Sequence, residues 1–271
     1  MNILFSLAGI FIVTLTTAQP LFHVLRYDDD YIPGNDTTGW YPTLKYVRIN
    51  SSHDILLTSG GDIRSQYFYT RHEEWGDRTS DRDGYLLSRF FFHTDLHVKN
   101  RFRTFLQVQE STTTSRVDPS PVEKDPLELH QVFSDLSFNL GRRTNAVFRI
   151  GRQELMYGSQ RLVSTREGPN NRPSFDAARV ILTATRYSHN VFCSTYVANK
   201  PGAFNDNLNT NTKFRGYYGT HKRVSRLFPT VDIYYFGLRK LQAKFDDGSG
   251  RELRHSFGAR LWNVSQISYT T

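Results

Sequence analysis

The chain has 271 residues, with 34 lysines and arginines against 26 aspartates and glutamates, so its formal net charge is +8. Hydrophobic residues make up only 38% of the chain, yet it contains 20 phenylalanines and 15 tyrosines. This composition suits a β-barrel with aromatic belts and a polar interior, or an aromatic-rich soluble β-sandwich. The single cysteine, Cys193, excludes an intrachain disulfide and therefore a disulfide-stapled scaffold.

The N-terminal 18 residues predict a signal peptide. Residues 3–17 are apolar to weakly polar, are too short to span a bilayer as a helix, and end in small residues before Gln19. Residues 19–45 are rich in turn formers and predict an irregular lead-in to a domain over 46–271. No later run approaches the roughly 20 apolar residues that a membrane helix needs. We therefore expect an exported protein that, if it enters a membrane, crosses it with strands.

From residue 46 onward, polar and apolar residues alternate in runs that are separated by turn formers. The runs have about the length of a transmembrane strand, roughly 9–11 residues. They predict about eleven strands, at 46–50, 54–71, 84–98, 101–112, 127–140, 146–153, 175–187, 190–198, 213–221, 229–240 and 251–263. The connections at 112–126 and 155–174 are long, whereas those at 99–100 and 188–190 are tight, as in barrels with short turns on one side.

The two sides of the predicted strands differ in character. In 84–98, Phe90 and Phe92 share one side, whereas Arg89, His93 and Asp95 share the other. A soluble antiparallel sheet with one solvated face gives the same alternation. These strands are longer than the 5–6 residues usual in a sandwich. We therefore predict an all-β fold, a transmembrane antiparallel β-barrel or part of a larger one, with the charged side inward.

Residues 150–179 contain the most informative motifs of the chain. They read IGRQEL at 150–155, YGxQRL at 157–162, NR at 171–172 and SFDxxR at 174–179, and they are accompanied by GGDIRSQY at 60–67, DIYY at 232–235 and RHSFGARL at 254–261. Together, in this order over residues 45–262, the motifs resemble the alginate-export family of outer-membrane porins.

The resemblance implies a bacterial outer-membrane barrel of about 18 strands, an even number. It implies a lumen lined by basic residues, an anionic uronic-acid polymer as substrate, periplasmic export partners and no cofactor. The chain departs from that pattern because about eleven strands are too few and because it ends in Thr271 rather than in an aromatic residue. We therefore expect a C-terminally truncated member, since an open sheet edge in lipid is costly.

Arginine is the residue type best suited to such a substrate, because it is permanently charged and binds a carboxylate through two hydrogen bonds. Rings of arginine also select anions in pores. Strand parity predicts an inward set of Arg64, Arg89, Arg103, Arg149, Arg179, Arg215, Arg254 and Arg260. Arg152 joins the set if a bulge at Gly151 resets the parity, and Arg161, Arg172 and Asn171 lie in the loop. The acids on the same side are Asp62, Asp95, Asp135, Asp176 and Asp232, which either neutralise the arginines or space them for weak substrate binding.

Other functions have weaker support in the sequence. No Gly-x-Ser-x-Gly motif is present, so we predict no enzyme. A metal site at His93-x-Asp95-x-His97 competes with ordinary pairing between strands, and we predict no metal. Nucleic acid is disfavoured because the basic residues are interleaved with acids rather than clustered. The sequence thus predicts an outer-membrane channel for an anionic polysaccharide or small anions, with a secreted or surface carbohydrate-binding β-sheet protein as the alternative.

Overall fold

The computed structural model describes residues 23–29, 45–50, 54–77, 84–200, 202–223 and 230–263. These residues form one antiparallel sheet in which each strand pairs with its neighbours in the sequence. The strands are β1 (Tyr46–Arg48), β2 (Ile55–Phe68), β3 (Tyr85–Val98), β4 (Phe102–Thr114), β5 (Asp125–Asn139), β6 (Thr144–Gln153), β7 (Phe175–Ala184), β8 (Tyr187–Ala198), β9 (Asn207–Lys222), β10 (Thr230–Phe245) and β11 (Gly248–Trp262).

The predicted all-β fold and the strand count are confirmed, but several boundaries are wrong, including the end of β10, which lies at Phe245 rather than at 240. The expected turn at 188–190 lies inside β8, and the true turn is at 185–186. Strand β9 begins at Asn207 rather than at 213, because pairing with β8 resumes after a bulge, with Val197 opposite Leu208. The polar side chains at 188–190 and 207–212 therefore belong to strands and do not mark turns.

The sheet has two chemically distinct faces, which the alternation along β3 defines. Arg89, Phe91 and His93 are buried on one face, which we call the inner face. Phe90 and Phe92 are exposed on the opposite face, which we call the outer face. The register between strands carries this assignment across the whole sheet, because directly opposed residues share a face.

Two segments that are not strands cover the inner face. The first, residues 23–29, contains a short 3₁₀ helix at Arg26–Asp28, and its Tyr27 packs against Phe105 of β4 and Phe133 of β5. The second is the connection between β6 and β7, residues 154–174, which we call the inner segment. It begins with Glu154 and Leu155, both buried. The inner face therefore has a packed core of its own.

The sheet is strongly curled around the inner segment. Val163 packs in a cluster with Tyr218 of β9 and Phe236 of β10, whereas Arg64 of β2 donates hydrogen bonds to the carbonyl of Glu167. In a flat sheet β2 and β9 would lie roughly 33 Å apart. Four residues span at most about 14 Å, so the chain from 163 to 167 reaches both strands only if the sheet bends.

The connections differ in length at the two ends of the sheet. At one end four connections are long, 69–84, 115–124, 154–174 and 199–206, although 246–247 at that end is tight. At the other end 99–101, 140–143 and 185–186 are short, and 223–229 is longer. Bacterial outer-membrane barrels show this asymmetry, with the short turns on the periplasmic side. We call the first end the long-loop end.

The sheet is not closed, because β1 and β11 each pair with only one of the strands described. No helix among the described residues is long and apolar enough to cross a membrane. The predicted signal peptide, most of the predicted lead-in and residues 264–271 lie outside the described residues.

Candidate functional site

Arginine–aspartate pairs join neighbouring strands across the inner face. Arg149 of β6 lies directly opposite Asp135 of β5 and binds it through two hydrogen bonds of 2.7 Å, from Nε and Nη2. Arg103 of β4 binds Asp95 of β3 in the same manner, at 2.9 Å from Nε and 2.6 Å from Nη2. The Arg149–Asp135 pair is directly opposed in the register, whereas Arg103 reaches Asp95 diagonally, from a position opposite His97. Each bidentate pair fixes the orientation of its guanidinium.

A similar centre lies at the far side of the sheet, around Asp232 of β10. Its carboxylate accepts hydrogen bonds from Arg260 at 2.8 Å, from the Tyr218 hydroxyl at 2.8 Å and from the Trp262 indole at 2.9 Å. Asp232 is buried, whereas Arg260 is partly exposed on the inner face. Arg260 therefore shares the inner face with Asp232, opposite it in the register.

A second group of arginines holds the inner segment in place. Arg172 binds both oxygens of Glu154 at 2.7 Å and reaches Glu167 at 2.7 Å. Arg89 of β3 also approaches Glu167, at 3.2 Å, and Arg64 of β2 donates a 2.7 Å hydrogen bond to the carbonyl of Pro169. These arginines carry structural ion pairs, since their guanidinium groups are occupied by protein partners.

Glu167 is the acid on which these cations converge. Burial acts to raise its pKa, but Arg172, Arg89 and Arg64 outweigh that effect and hold the pKa below its usual value. The carboxylate is therefore ionised at neutral pH, and its ion pairs hold the inner segment against β2 and β3.

Two asparagines anchor the C-terminal part of the inner segment. The amide nitrogen of Asn170 donates to the carbonyls of Ser88 at 3.0 Å and Glu123 at 2.9 Å. Asn171 donates to a carboxylate oxygen of Asp125 at 2.8 Å and accepts a hydrogen bond from Gln109. Both asparagines are buried, so Asn171 fixes the segment against β4 and β5.

Arg179 of β7 differs from the other inner arginines because its hydrogen-bond partners are neutral. It donates to Gln153 at 3.2 Å and to Asn190 at 2.9 Å, and it makes no ion pair with a described residue. Its guanidinium also lies 5.6 Å from the centre of the Tyr157 ring. Arg179 therefore leaves a net positive charge on the inner face.

Aromatic side chains surround this charge. Tyr157 stacks against Phe192 and Tyr218, each at 5.3 Å between ring centres. Burial raises the pKa of Tyr157 to about 12, so its hydroxyl stays protonated. In the first inner-face segment, burial likewise raises the pKa of Asp28, although Arg149 acts in the opposite direction.

Three predicted inward residues lie on the outer face instead. Arg152 and Asp176 are directly opposite each other and form an ion pair at 3.0 Å, and their register is continuous with Ile150 and Ala178 on the outer face. No register shift occurs at Gly151, so the bulge that would have turned Arg152 inward is absent from β6.

Gly151 instead has a left-handed backbone, with φ of +130°. That conformation is available to glycine without strain and is consistent with continuous strand pairing.

Arg215 of β9 is the third of these residues. It lies opposite Cys193 of β8 and Gly237 of β10, in a row that belongs to the outer face. Together with Lys213, Arg239 and Arg251 it borders a cavity of about 810 Å³ on that face. The outer face thus carries several charges on these strands. On β3 to β8 it is mainly apolar apart from the Arg152–Asp176 pair, since Phe90, Phe92, Phe148, Ile150, Val180 and Val191 are exposed there.

The remaining candidates are dispersed. Arg161 is exposed on the inner segment and contacts no charged partner among the described residues. Arg254 of β11 is on the inner face with its side chain 63% exposed, beside Glu252. His97 and Arg103 both bind Asp95, so His93, Asp95 and His97 do not assemble into a metal site within the described chain.

Glu154 and Glu167 were not predicted from the sequence, yet their ion pairs with arginines hold the inner segment in place. Glu154 is 1% exposed and is bound by Arg172 and by His130 at 2.8 Å. Its position directly after the Ile-Gly-Arg-Gln motif was the available signal, because an acid beside a cluster of arginines is a ready partner. Glu167 stands between Arg166 and Arg172 in the sequence, and its side chain remains 46% exposed, so nothing local marks it as the partner of Arg89 and Arg172.

The comparisons with known proteins agree with this architecture. The family model described as alginate export matches residues 55–270, which includes β2 to β11 and the inner segment. No curated protein and no solved structure matches the chain. Since the family model covers most of the chain, the chain belongs to the alginate export family, a family of outer-membrane polysaccharide export porins.

Proposed function

We propose that the inner face of this sheet lines the path of an anionic polysaccharide, or of small anions, across the outer membrane. The observation that carries the proposal is the sidedness of charge: Arg64, Arg89, Arg103, Arg149, Arg179, Arg254 and Arg260 all lie on the inner face. An enclosed row of arginines attracts carboxylates and repels cations.

The individual arginines contribute unequally to this path. Arg103 and Arg149 are neutralised by bidentate aspartates, and Arg64, Arg89 and Arg172 are engaged with the inner segment. These five arginines therefore stabilise the sheet and the inner segment rather than contact the substrate. Arg254, with its high exposure, is the group best placed to act on a passing anion. Arg179 forms no ion pair with a described residue, but it is buried and contributes its charge from within the wall. Arg152 and Arg215 are no longer candidates for this role.

The inner segment occupies the space through which a polymer would pass. Its cluster of Leu155, Tyr157 and Val163 packs on β8 to β10, and its acids bind arginines of β2 and β3. In this conformation it narrows the path and contributes Arg161 and Arg166 to its exposed surface. Passage of a polymer therefore requires the segment to move.

The outer face supports the proposed location. Exposed aromatic and branched aliphatic side chains on β3 to β8 match the hydrocarbon region of a bilayer, and a protein with such a face in water would expose a large apolar patch. An N-terminal signal peptide and periplasmic export partners belong to the same proposal. Catalysis and a bound cofactor form no part of it.

The test is the reversal potential of the protein in a planar bilayer under a salt gradient. We expect anion selectivity, which falls when Arg254→Glu reverses a charge on the inner face. The matched control is Arg215→Glu, an equal change of charge at an exposed position two strands away on the outer face.

The proposal predicts a clear shift toward cations for the Arg254 variant and little or none for the Arg215 variant. Equal shifts, or a larger one for the Arg215 variant, would show that charge on the inner face does not control permeation. Added oligouronate should lower the conductance of the wild-type protein.

A further inference from the structure

Three carboxylates lie together at the long-loop end of the sheet. Asp125 and Glu128 are at the start of β5, and Asp206 is in the connection between β8 and β9. One oxygen of each lies within 4.8 Å of the others. Asp125 and Glu128 are buried, and Asp206 is partly buried. The group is separate from the arginine pairs of the inner face.

None of these carboxylates forms an ion pair with a described residue, which is unusual for buried acids. Arg152 donates to the backbone carbonyls of Leu129 and Asp206 in this region, but the carboxylate that it binds is Asp176, at 3.0 Å. An unpaired buried carboxylate costs several kcal/mol, so three in one place require a cation or must be protonated.

The hydrogen bonds of the cluster leave oxygen atoms free to coordinate. Asp125 is 1% exposed; its Oδ2 accepts hydrogen bonds from Asn171 at 2.8 Å and Asn199 at 2.9 Å, whereas its buried Oδ1 accepts none. Glu128 Oε1 accepts a hydrogen bond from the Asn205 N–H at 2.6 Å, and Asp206 Oδ1 accepts one from the Lys200 N–H at 2.8 Å. Asp125 Oδ1 is thus a buried oxygen without a described partner, within reach of a ligand shared with the two neighbouring carboxylates.

We propose that Asp125, Glu128 and Asp206 bind a calcium ion at the long-loop end. Calcium takes 6–8 oxygen ligands at 2.3–2.6 Å, and carboxylates from separate loops meet its tolerance for irregular geometry. Magnesium demands near-ideal octahedral geometry and is the poorer fit. Because the cluster offers only oxygen atoms and no histidine or cysteine, zinc is also disfavoured.

Such a site would join three parts of the fold. Glu128 and Asp125 belong to β5, Asp206 to the 199–206 connection, and Asn171 links Asp125 to the inner segment. Burial raises the pKa of Asp206 and Glu128 adds to the effect, although the hydrogen bond from Lys200 opposes it. A bound cation would remove this mutual repulsion and hold the 199–206 connection against the sheet. The inference stands on this geometry and does not depend on transport.

The test uses the full chain in detergent micelles after removal of cations with a chelator. Terbium is titrated as a luminescent substitute for calcium, with excitation of tyrosine, since Tyr196 is close enough to interact electrostatically with Asp206 and Asp125. Calcium is then added as competitor, with a dissociation constant expected on the order of 10⁻⁴–10⁻³ M, as in extracellular calcium modules.

Glu128→Gln and Asp206→Asn keep the size of the side chains and an oxygen for their backbone partners. We expect each to weaken terbium binding by about tenfold or more, a change of roughly 1.4 kcal/mol. Asp247→Asn, in the exposed turn between β10 and β11, is the matched control and should bind like the wild type.

Two results would overturn the inference. One is equal binding by the wild type and both cluster variants, which would place terbium elsewhere. The other is that terbium shows no saturable binding and that Asp206→Asn melts at a higher temperature than the wild type at every calcium concentration. This pair of results would mean that the carboxyl groups share protons instead of binding a cation. Should one variant fail to fold, the other gives the same comparison.

Discussion

Arg172 gives the sharpest test of how the inner segment is held, because its interpretation changed between sequence and structure. The sequence suggested a residue that binds substrate, whereas the structure places it 4% exposed between Glu154 and Glu167. Replacing Arg172 by methionine keeps much of the volume and removes the charge. Glu154 then remains buried, with His130 as its remaining side-chain partner.

The expected cost follows from that uncompensated charge. Breaking one partner out of a buried ion pair costs about 3–5 kcal/mol. Because His130 still binds Glu154, we expect the lower end, about 3 kcal/mol, in the free energy of unfolding. If the same energy destabilised only the packing of the inner segment against the sheet, the fraction of molecules with this segment detached would rise by roughly a hundredfold.

Equilibrium urea unfolding in detergent micelles, followed by tryptophan fluorescence, measures this cost. Arg161→Met is the matched control, since Arg161 is exposed on the same segment, and such surface changes usually stay within about 0.5 kcal/mol. The double variant Arg172→Met/Glu154→Gln removes both charges and should recover about 2 kcal/mol of the loss, a coupling typical of contacting residues. The Arg172–Glu154 ion pair would be refuted if the effects of the two substitutions on the free energy of unfolding were additive. It would also be refuted if Arg172→Met lowered that free energy no more than Arg161→Met does.

Two further predictions concern pH and backbone geometry. The folded pKa of Glu167 is depressed, so its contribution to stability is complete above its usual value of 4.5 and is lost as pH falls through the lower folded value; unfolding midpoints measured from pH 7 to pH 3 should fall more steeply for the wild type than for Glu167→Gln. At Gly151, an added Cβ would lie 2.3 Å from the Val132 carbonyl oxygen at a φ of +130°. Gly151→Ala should therefore lower the yield of heat-modifiable folded protein, whereas a yield equal to that of Ala178→Gly would contradict the reported strand geometry.

Strand positions were largely predictable because alternation of polar and apolar residues is a local property. The faces of β3, β4 and β11 were also predictable, since charged residues such as Arg89 and Asp95 recur on one side of the alternation, whereas Phe90 and Phe92 lie on the other. The eleven strands and the sidedness of Arg89, Arg103 and Arg260 follow directly from this pattern.

The face of β9 was not predictable, because both of its sides carry aromatic residues. Tyr218 and Phe214 looked like membrane-facing residues, yet they lie on the inner face, where Tyr157 of the inner segment covers this part of the sheet. Arg215 consequently lies outside. Which apolar side a sheet buries depends on what packs against it, and that partner is distant in sequence.

The orientation of Arg152 was missed for a different reason. A glycine within a strand often signals a bulge, and a bulge at Gly151 would have turned Arg152 inward. In the structure the glycine adopts an unusual φ while the register stays continuous, so the alternation is not reset. Sequence alone does not distinguish these two uses of glycine.

The most direct test of the central claim asks which face of the sheet meets lipid. In a Cys193→Ser background, a fluorescent label is attached either at Phe257→Cys, on the outer face where Phe257 is 76% exposed, or at Ser256→Cys, on the inner face of the same strand. In reconstituted vesicles we predict that brominated lipid quenches the label at 257 and that aqueous iodide quenches the label at 256. Equal iodide quenching at both positions would contradict the account, because a sheet with both faces in water cannot be the wall of a membrane pore.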